Sequence, residues 1–199
     1  MARPRTFDED NVLSGAMHCF RRTGFRNASV KDLEKATGLT SGSLYNAYGD
    51  KDGLFRAAFR HYLSTVVLPR MEAFAGEDRG LADLEQLYLS LFEQPYADGF
   101  GCLVVNSSVE FGGGPSVAQD GVREGLDAVG KAIRTVIARH LSSNLAEPAT
   151  QRLMLIYQGL LVASRAGRAG PDVASAIRAE FDILRSLSTP PSNPGEQPC

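Results

Sequence analysis

Apolar side chains recur along this chain every three to four positions, the period of an amphipathic helix, with no convincing strand-like alternation. Between about Phe7 and Thr23 the positions Val12, Leu13, Ala16, Met17 and Phe20 form one such stripe, and Gly24 supplies the left-handed residue that ends a helix. Ser29 then precedes Val30 to Ala36. Its hydroxyl can cap the free amides there, and Asp32 follows at capping-box distance, so a second, short helix is predicted. Thr37-Gly38-Leu39-Thr40 supplies a glycine turn, an apolar corner and a new cap, after which a third short helix runs from Ser41 to Ala47. Asp50 caps a longer helix bearing Leu54, Phe55, Ala58, Phe59, Tyr62, Leu63 and Val66, expected to stop at Pro69.

The helical period continues through Leu81 to Phe92, Cys102 to Phe111 and, after the break Gly112-Gly113-Gly114-Pro115, Val117 to Leu141. Two further helices are predicted from Pro148 to about Ala166 and from Pro171 to about Leu187, each opened by proline, which suits a first helical turn. The pattern therefore predicts an all-α chain. An N-terminal three-helix helix-turn-helix domain occupies residues 1–49, and a helical domain occupies 50–187, with 50–68 connecting the two. Residues 188–199, with four prolines, are expected to form a disordered tail.

Composition narrows the function classes. The whole chain has a formal charge of −2, so it is no polycation. The first 60 residues nevertheless hold 10 Lys and Arg against 7 acids, and the remainder 11 against 16. A local basic module on an acidic partner domain suits nucleic-acid binding confined to the N-terminal end. No apolar run is long enough for a membrane span and no secretory signal is apparent, so a cytoplasmic location is expected. Cys19, Cys102 and Cys199 lie far apart, and so do His18, His61 and His140, so neither a disulfide framework nor a metal or cofactor is suggested. Cys19 reads as core of the first helix, and Cys199 as part of the loose tail.

The third helix, Ser41-Gly42-Ser43-Leu44-Tyr45-Asn46-Ala47-Tyr48, is poor in helix formers and rich in small hydroxyl and amide groups, which marks it as the reading helix of a helix-turn-helix. The chain resembles the tetracycline-repressor (TetR) family of bacterial transcription regulators. The fragments that carry this are Phe20-Arg21-Arg22-Thr23-Gly24-Phe25, Ser29-Val30-Lys31-Asp32-Leu33, Ala36-Thr37-Gly38-Leu39, Ser43-Leu44-Tyr45-Asn46-Ala47-Tyr48 and Asp50-Lys51-Asp52-Gly53-Leu54-Phe55, in order and in register. Gly101-Cys102-Leu103 with Asn106 is similar to one subgroup, some of whose members respond to electrophiles or oxidants.

The resemblance implies a homodimer, joined through the last two helices, that binds palindromic double-stranded operator DNA and is released by a small apolar or electrophilic effector. Carried onto matching positions, it puts Ser41, Gly42, Ser43 and Tyr45 on the groove side of the reading helix, with Asn46 near its end. Ser29, Thr40, Tyr48 and Lys51 would hold phosphates. It also implies an effector cavity, for which Phe59, Tyr62, Tyr88, Phe92, Cys102, Asn106 and Tyr157 are candidates, although aromatic residues at helical spacing also serve as core. Cys102 reads first as inert packing, with a thiol-based sensor as the alternative. A long polar or basic side chain is lacking at 41–43, so base reading would lean on close backbone approach, water and DNA shape. An activator in place of a repressor is one alternative, and two rivals of other classes stand beside this reading. A thiol-dependent enzyme using Cys102 has no acid or base partner at recognisable spacing, and a dimeric ligand carrier that does not bind DNA would survive loss of Tyr45 and Lys51.

Overall fold

A computed structural model describes residues 7–92 and 98–188. Helix α1 (Glu9–Thr23) starts after Asp8, whose carboxylate accepts the Asn11 amide, and ends at Gly24 with φ +80°. The capping box that opens α2 (Val30–Thr37) has both halves in place: the Asp32 amide donates to Ser29 Oγ, and the Ser29 amide to Asp32 Oδ2. Gly38, at φ +71°, closes it in the left-handed region. Thr40 caps α3 (Ser41–Tyr48), and Asp50 caps α4 (Lys51–Tyr62). These four helices bury Ala16, Phe20, Leu33, Leu44, Leu54 and Phe55, with Phe20 and Phe25 each meeting the Phe55 ring at 5.0 Å.

The chain does not stop at Pro69 as the pattern predicts. Past α4 the backbone widens into a π-helical turn, Leu63–Val67, in which the Leu68 amide donates to the Leu63 carbonyl five residues back, and then continues as α5 (Leu68–Ala75). The wider turn shifts the hydrogen-bond register by one residue. Pro69 then falls at the start of a new ladder, where its missing amide is tolerated.

Helix α6 (Leu81–Leu89) runs into a 3-10 turn, Ser90–Phe92. After the 98–102 loop come α7 (Leu103–Phe111), α8 (Gln119–His140), α9 (Ser143–Arg165) and α10 (Pro171–Leu187). Helix α9 begins five residues before the proline expected to open it. Pro148 and Asn144 are both exposed, so the carbonyl that loses its helical amide lies where water can replace it. Tyr88 is the hub of this second core: its ring meets Tyr157 at 5.6 Å and Phe181 at 5.4 Å, and its hydroxyl donates to the Leu153 carbonyl at 3.0 Å. No helix among the described residues is long and apolar enough to cross a membrane. The tail expected over 188–199, apart from Ser188, lies outside the described residues, as does Cys199.

Candidate nucleic-acid interface and buried cavity

Leu44 is the anchor of α3, fully buried against the bundle, while Tyr45, Ala47 and Tyr48 are half-buried beside it. Thr40, Gly42, Ser43 and Asn46 are exposed. At the N-terminus, the Thr40 hydroxyl accepts the Ser43 amide at 3.3 Å and donates to Ser43 Oγ at 3.1 Å. Gly42 is the informative position. A Cβ built on it would come no nearer than 4.0 Å to another atom, that of Thr40 Oγ1, whereas one on Gly15 of α1 would lie 2.1 Å from the Ala36 carbonyl oxygen. Packing within the chain explains Gly15. It does not explain a helix-weakening glycine on the open face of α3.

The flanking candidates are held differently. The Ser29 hydroxyl donates to Asp32 Oδ2 at 2.6 Å, so its proton is engaged inside the capping box, and an anion at this end of α2 would meet backbone amides instead. That hydroxyl bond and the one from the Ser29 amide keep the Asp32 carboxyl below its ordinary value. Lys51 opens α4, where a cation opposes the helix dipole; its ammonium lies 4.7 Å from the centre of the Phe25 ring, a cation–π contact that fixes its position. Glu34, in the last turn of α2, accepts the Ser41 amide at 2.6 Å, and hydrogen bonds from Ser41 hold its carboxyl below the ordinary range. This clamp sets α3 against α2. Sequence reasoning missed it, although an acidic residue at a helix C-terminus, against the dipole, is a signal that it has another partner.

Between α7, α8, α9 and the π-turn lies a small cavity of about 30 Å³, room for a few water molecules at most. Of the residues predicted for an effector pocket, Tyr62, Cys102 and Tyr157 line it, together with Val66, Arg70 and Gly125. Four predicted residues are elsewhere. Phe59 packs against Phe55 and over Gly121, Tyr88 is the core hub, and Phe92 is half-buried away from the lining. Asn106 turns away to donate to the carbonyls of Arg21 and Phe100. Helical spacing cannot tell these outcomes apart, because core and cavity walls share one apolar face.

Inside the cavity wall the Tyr62 hydroxyl donates to Cys102 Sγ at 3.4 Å, and burial followed by the neighbouring thiol pushes the phenol well above its ordinary pKa. Tyr62 therefore stays protonated at neutral pH and is a donor to the sulfur, not a base for it. Cys102 itself is half-buried at the N-cap position of α7. Cys19 is core, as expected, its thiol pushed up chiefly by burial.

Residues 12–58 match the family model described as bacterial regulatory proteins, tetR family. The chain is 31% identical over 113 residues to the uncharacterized HTH-type transcriptional regulator YezE of Bacillus subtilis, covering 55% of this chain and 58% of that one. It is 30% identical over 109 residues to the HTH-type transcriptional repressor ComR of Escherichia coli, covering 53% and 51%. The matched stretch thus spans about half the length of these curated relatives. Among solved structures, a cysteine mutant of the TetR family regulator CifR in complex with 26-bp operator DNA superposes with a TM-score of 0.76 at 25% identity, over 90% of this chain and 98% of that one. The reduced form of E. coli NemR superposes at 0.72 and 15% identity, over 92% and 98%, a likeness of fold.

Residues 12–58 carry the DNA-binding module of the tetR family of bacterial regulatory proteins, and the chain around it has the fold of TetR regulators. Its TetR module is the four-helix unit described above, and the polar groups joining that unit to the rest of the chain were not predicted from sequence. Arg21 pairs with Asp98 and donates to the Gly101 carbonyl. Glu110 accepts the amides of Phe25 and Arg26 at 2.9 and 2.7 Å. Arg165 joins Asn106 in donating to the Arg21 and Phe100 carbonyls. Apart from Asn106 and Phe100, 6 positions apart, these partners lie 65 to 144 positions apart in sequence, so no local pattern announces them.

Proposed function

We propose that this protein is a homodimeric transcriptional repressor that binds a near-palindromic operator through α3 and leaves it when a small apolar or electrophilic effector enters the cavity beside Cys102. The observation that carries this reading is Gly42: a residue that weakens its helix, exposed, with open space where its side chain would be. A flat, nearly side-chain-free stretch at the start of α3 suits close approach to a duplex, with Ser41, Ser43, Tyr45 and Asn46 offering hydrogen bonds to the groove and Thr40, Tyr48 and Lys51 meeting phosphates. Ser29 contributes there through the open end of α2.

The dimer is supported by what α9 and α10 leave uncovered. Leu155 is 71% and Val162 50% exposed on α9, and Ile183 51% and Leu187 45% on α10, an apolar surface on the last two helices that a second copy would bury. Two reading helices would then face successive major grooves, ~34 Å apart. Inside the cavity an electrophile with an activated double bond would add to Cys102, its β-carbon bonding to sulfur and the thiol proton ending on the α-carbon. Because Tyr62 remains protonated, the site offers a hydrogen bond to sulfur and no base, which favours a sensor or packing role over a thiol enzyme. Selection of binding sites from random duplexes, followed by titration at several salt concentrations, tests the proposal. A palindromic consensus with a steep salt slope is expected, and binding indifferent to sequence overturns it.

A further inference from the structure

The loop that walls the cavity also fastens the DNA-binding module. At the carboxyl end of α1 the last carbonyls have no amide within their own helix. Arg21 O receives Asn106 Nδ2 and Arg165 Nη1, both at 3.2 Å, from α7 and α9. The same two donors also hold Phe100 O, at 2.8 and 3.1 Å, so one pair of side chains ties α1 to the 98–102 loop. Arg21 returns the bond from its own side, donating to the Gly101 carbonyl and pairing with Asp98. Farther along α7 the Glu110 carboxylate takes both amides of the α1–α2 turn, Phe25 and Arg26, and a Cβ on Gly24 would lie 3.0 Å from Glu110 Oε2.

Gly101 and Cys102 meanwhile line the cavity, and Val104 and Val105 of α7 continue that wall. At about 30 Å³ the space holds no organic molecule of several heavy atoms, so one wall must yield to admit it. The α8 wall is already at close quarters: a Cβ on Gly125 would fall 2.6 Å from a Val104 methyl. The 98–102 loop is non-helical and is held by the polar bonds just described. A ligand that displaces Gly101 or the first turn of α7 therefore strains the bonds to Arg21, Phe25 and Arg26.

We infer that Asn106, Glu110 and Arg165 form a latch that reports occupancy of the cavity to α1. They are positioning residues: with the cavity closed they hold the α1 end and the α1–α2 turn, and an occupant beside Cys102 releases them. This rests on the reading of the cavity as the effector site. It assigns Asn106 a coupling role in place of ligand contact, and it gives α1 a route to the cavity separate from the continuous α4–α5 helix.

The test uses the full chain carrying Cys199→Ser, alkylated at Cys102 with N-ethylmaleimide and verified by mass, and follows amide hydrogen exchange. The Phe25 and Arg26 amides should exchange about tenfold faster in the adduct, while those inside α2, from Leu33 to Thr37, keep their rates. In Glu110→Gln with Asn106→Ala the turn amides should already be fast, and alkylation should add little. Cys102→Phe introduces the bulk genetically and should reproduce the adduct, whether or not the thiol alkylates. Unchanged exchange at Phe25 and Arg26 in the filled protein overturns the latch, and so does acceleration spread through all of α2. Exchange needs no DNA, so a protein that fails to select an operator yet shows the response would lose the repressor reading and keep the latch.

Discussion

Replacing Gly42 by alanine separates two reasons for having glycine there. Within the chain the added methyl meets only Thr40 Oγ1, at 4.0 Å, and no strain follows. Alanine in an exposed helical position is worth ~0.5–1 kcal/mol over glycine, so thermal unfolding of Gly42→Ala should rise by a few degrees, about 2–4 °C per kcal/mol for a chain of this size. Against a duplex the methyl has the opposite effect. Forcing one extra carbon into a tight contact costs ~1–3 kcal/mol, about a 5- to 150-fold loss of affinity at each reading helix. Calorimetry or circular dichroism reads the first effect, and fluorescence anisotropy on the selected operator reads the second. Gly15→Ala is the control, with destabilisation expected because its methyl would collide with the Ala36 carbonyl. If Gly42→Ala melts higher and binds operator as tightly as the parent, the glycine is not there for DNA and the argument for α3 fails.

Lys51→Met should lower the slope of log affinity against log salt by about one phosphate contact per subunit, and removing the cation from the Phe25 ring should cost ~0.5–1 kcal/mol of stability; an unchanged salt slope would take Lys51 off the phosphate backbone. Leu155→Glu combined with Ile183→Glu alters two exposed positions, so the protomer should keep its helical circular dichroism while light scattering reports half the mass and operator binding collapses. Tyr88→Phe deletes a buried hydrogen bond to the Leu153 carbonyl and should cost ~0.5–1.5 kcal/mol in denaturant titration without altering the reactivity of Cys102, as fits a core residue outside the cavity. The carboxyls of Asp32 and Glu34 are both depressed by hydrogen bonds in the folded chain, so their stabilisation is complete above the ordinary values, 3.8 and 4.5, and is lost as pH falls through the lower folded ones. The stability difference between the parent and Asp32→Asn should therefore shrink as acid is added across that range, and a difference that grows would reverse the assignment.

The helix-turn-helix was legible because its determinants are local. Ser29 with Asp32, Thr40 with Ser43 and Asp50 with Gly53 are each three residues apart, and a helix end is decided by which atoms such neighbours can offer its free amides. The periodic apolar stripes likewise announced the later helices except α5, which lies past the stop predicted at Pro69. They misplaced two boundaries, because a proline is a boundary only where the ladder cannot be reset, as it is ahead of Pro69, or where water cannot take over, as it can beside Pro148. What periodicity could not do was sort one buried aromatic from another. Tyr62 reaches a cavity and Tyr88 a carbonyl of α9 on the strength of neighbours brought in from far along the chain. Nor could it foresee that Asn106 and Glu110 would hold α1 and its turn, 84 or more positions away. Capping and amphipathicity are properties of a few consecutive residues. The closing of a cavity and the latching of one module to another exist only once helices distant in sequence have packed, and that packing is where the chemistry of this protein resides.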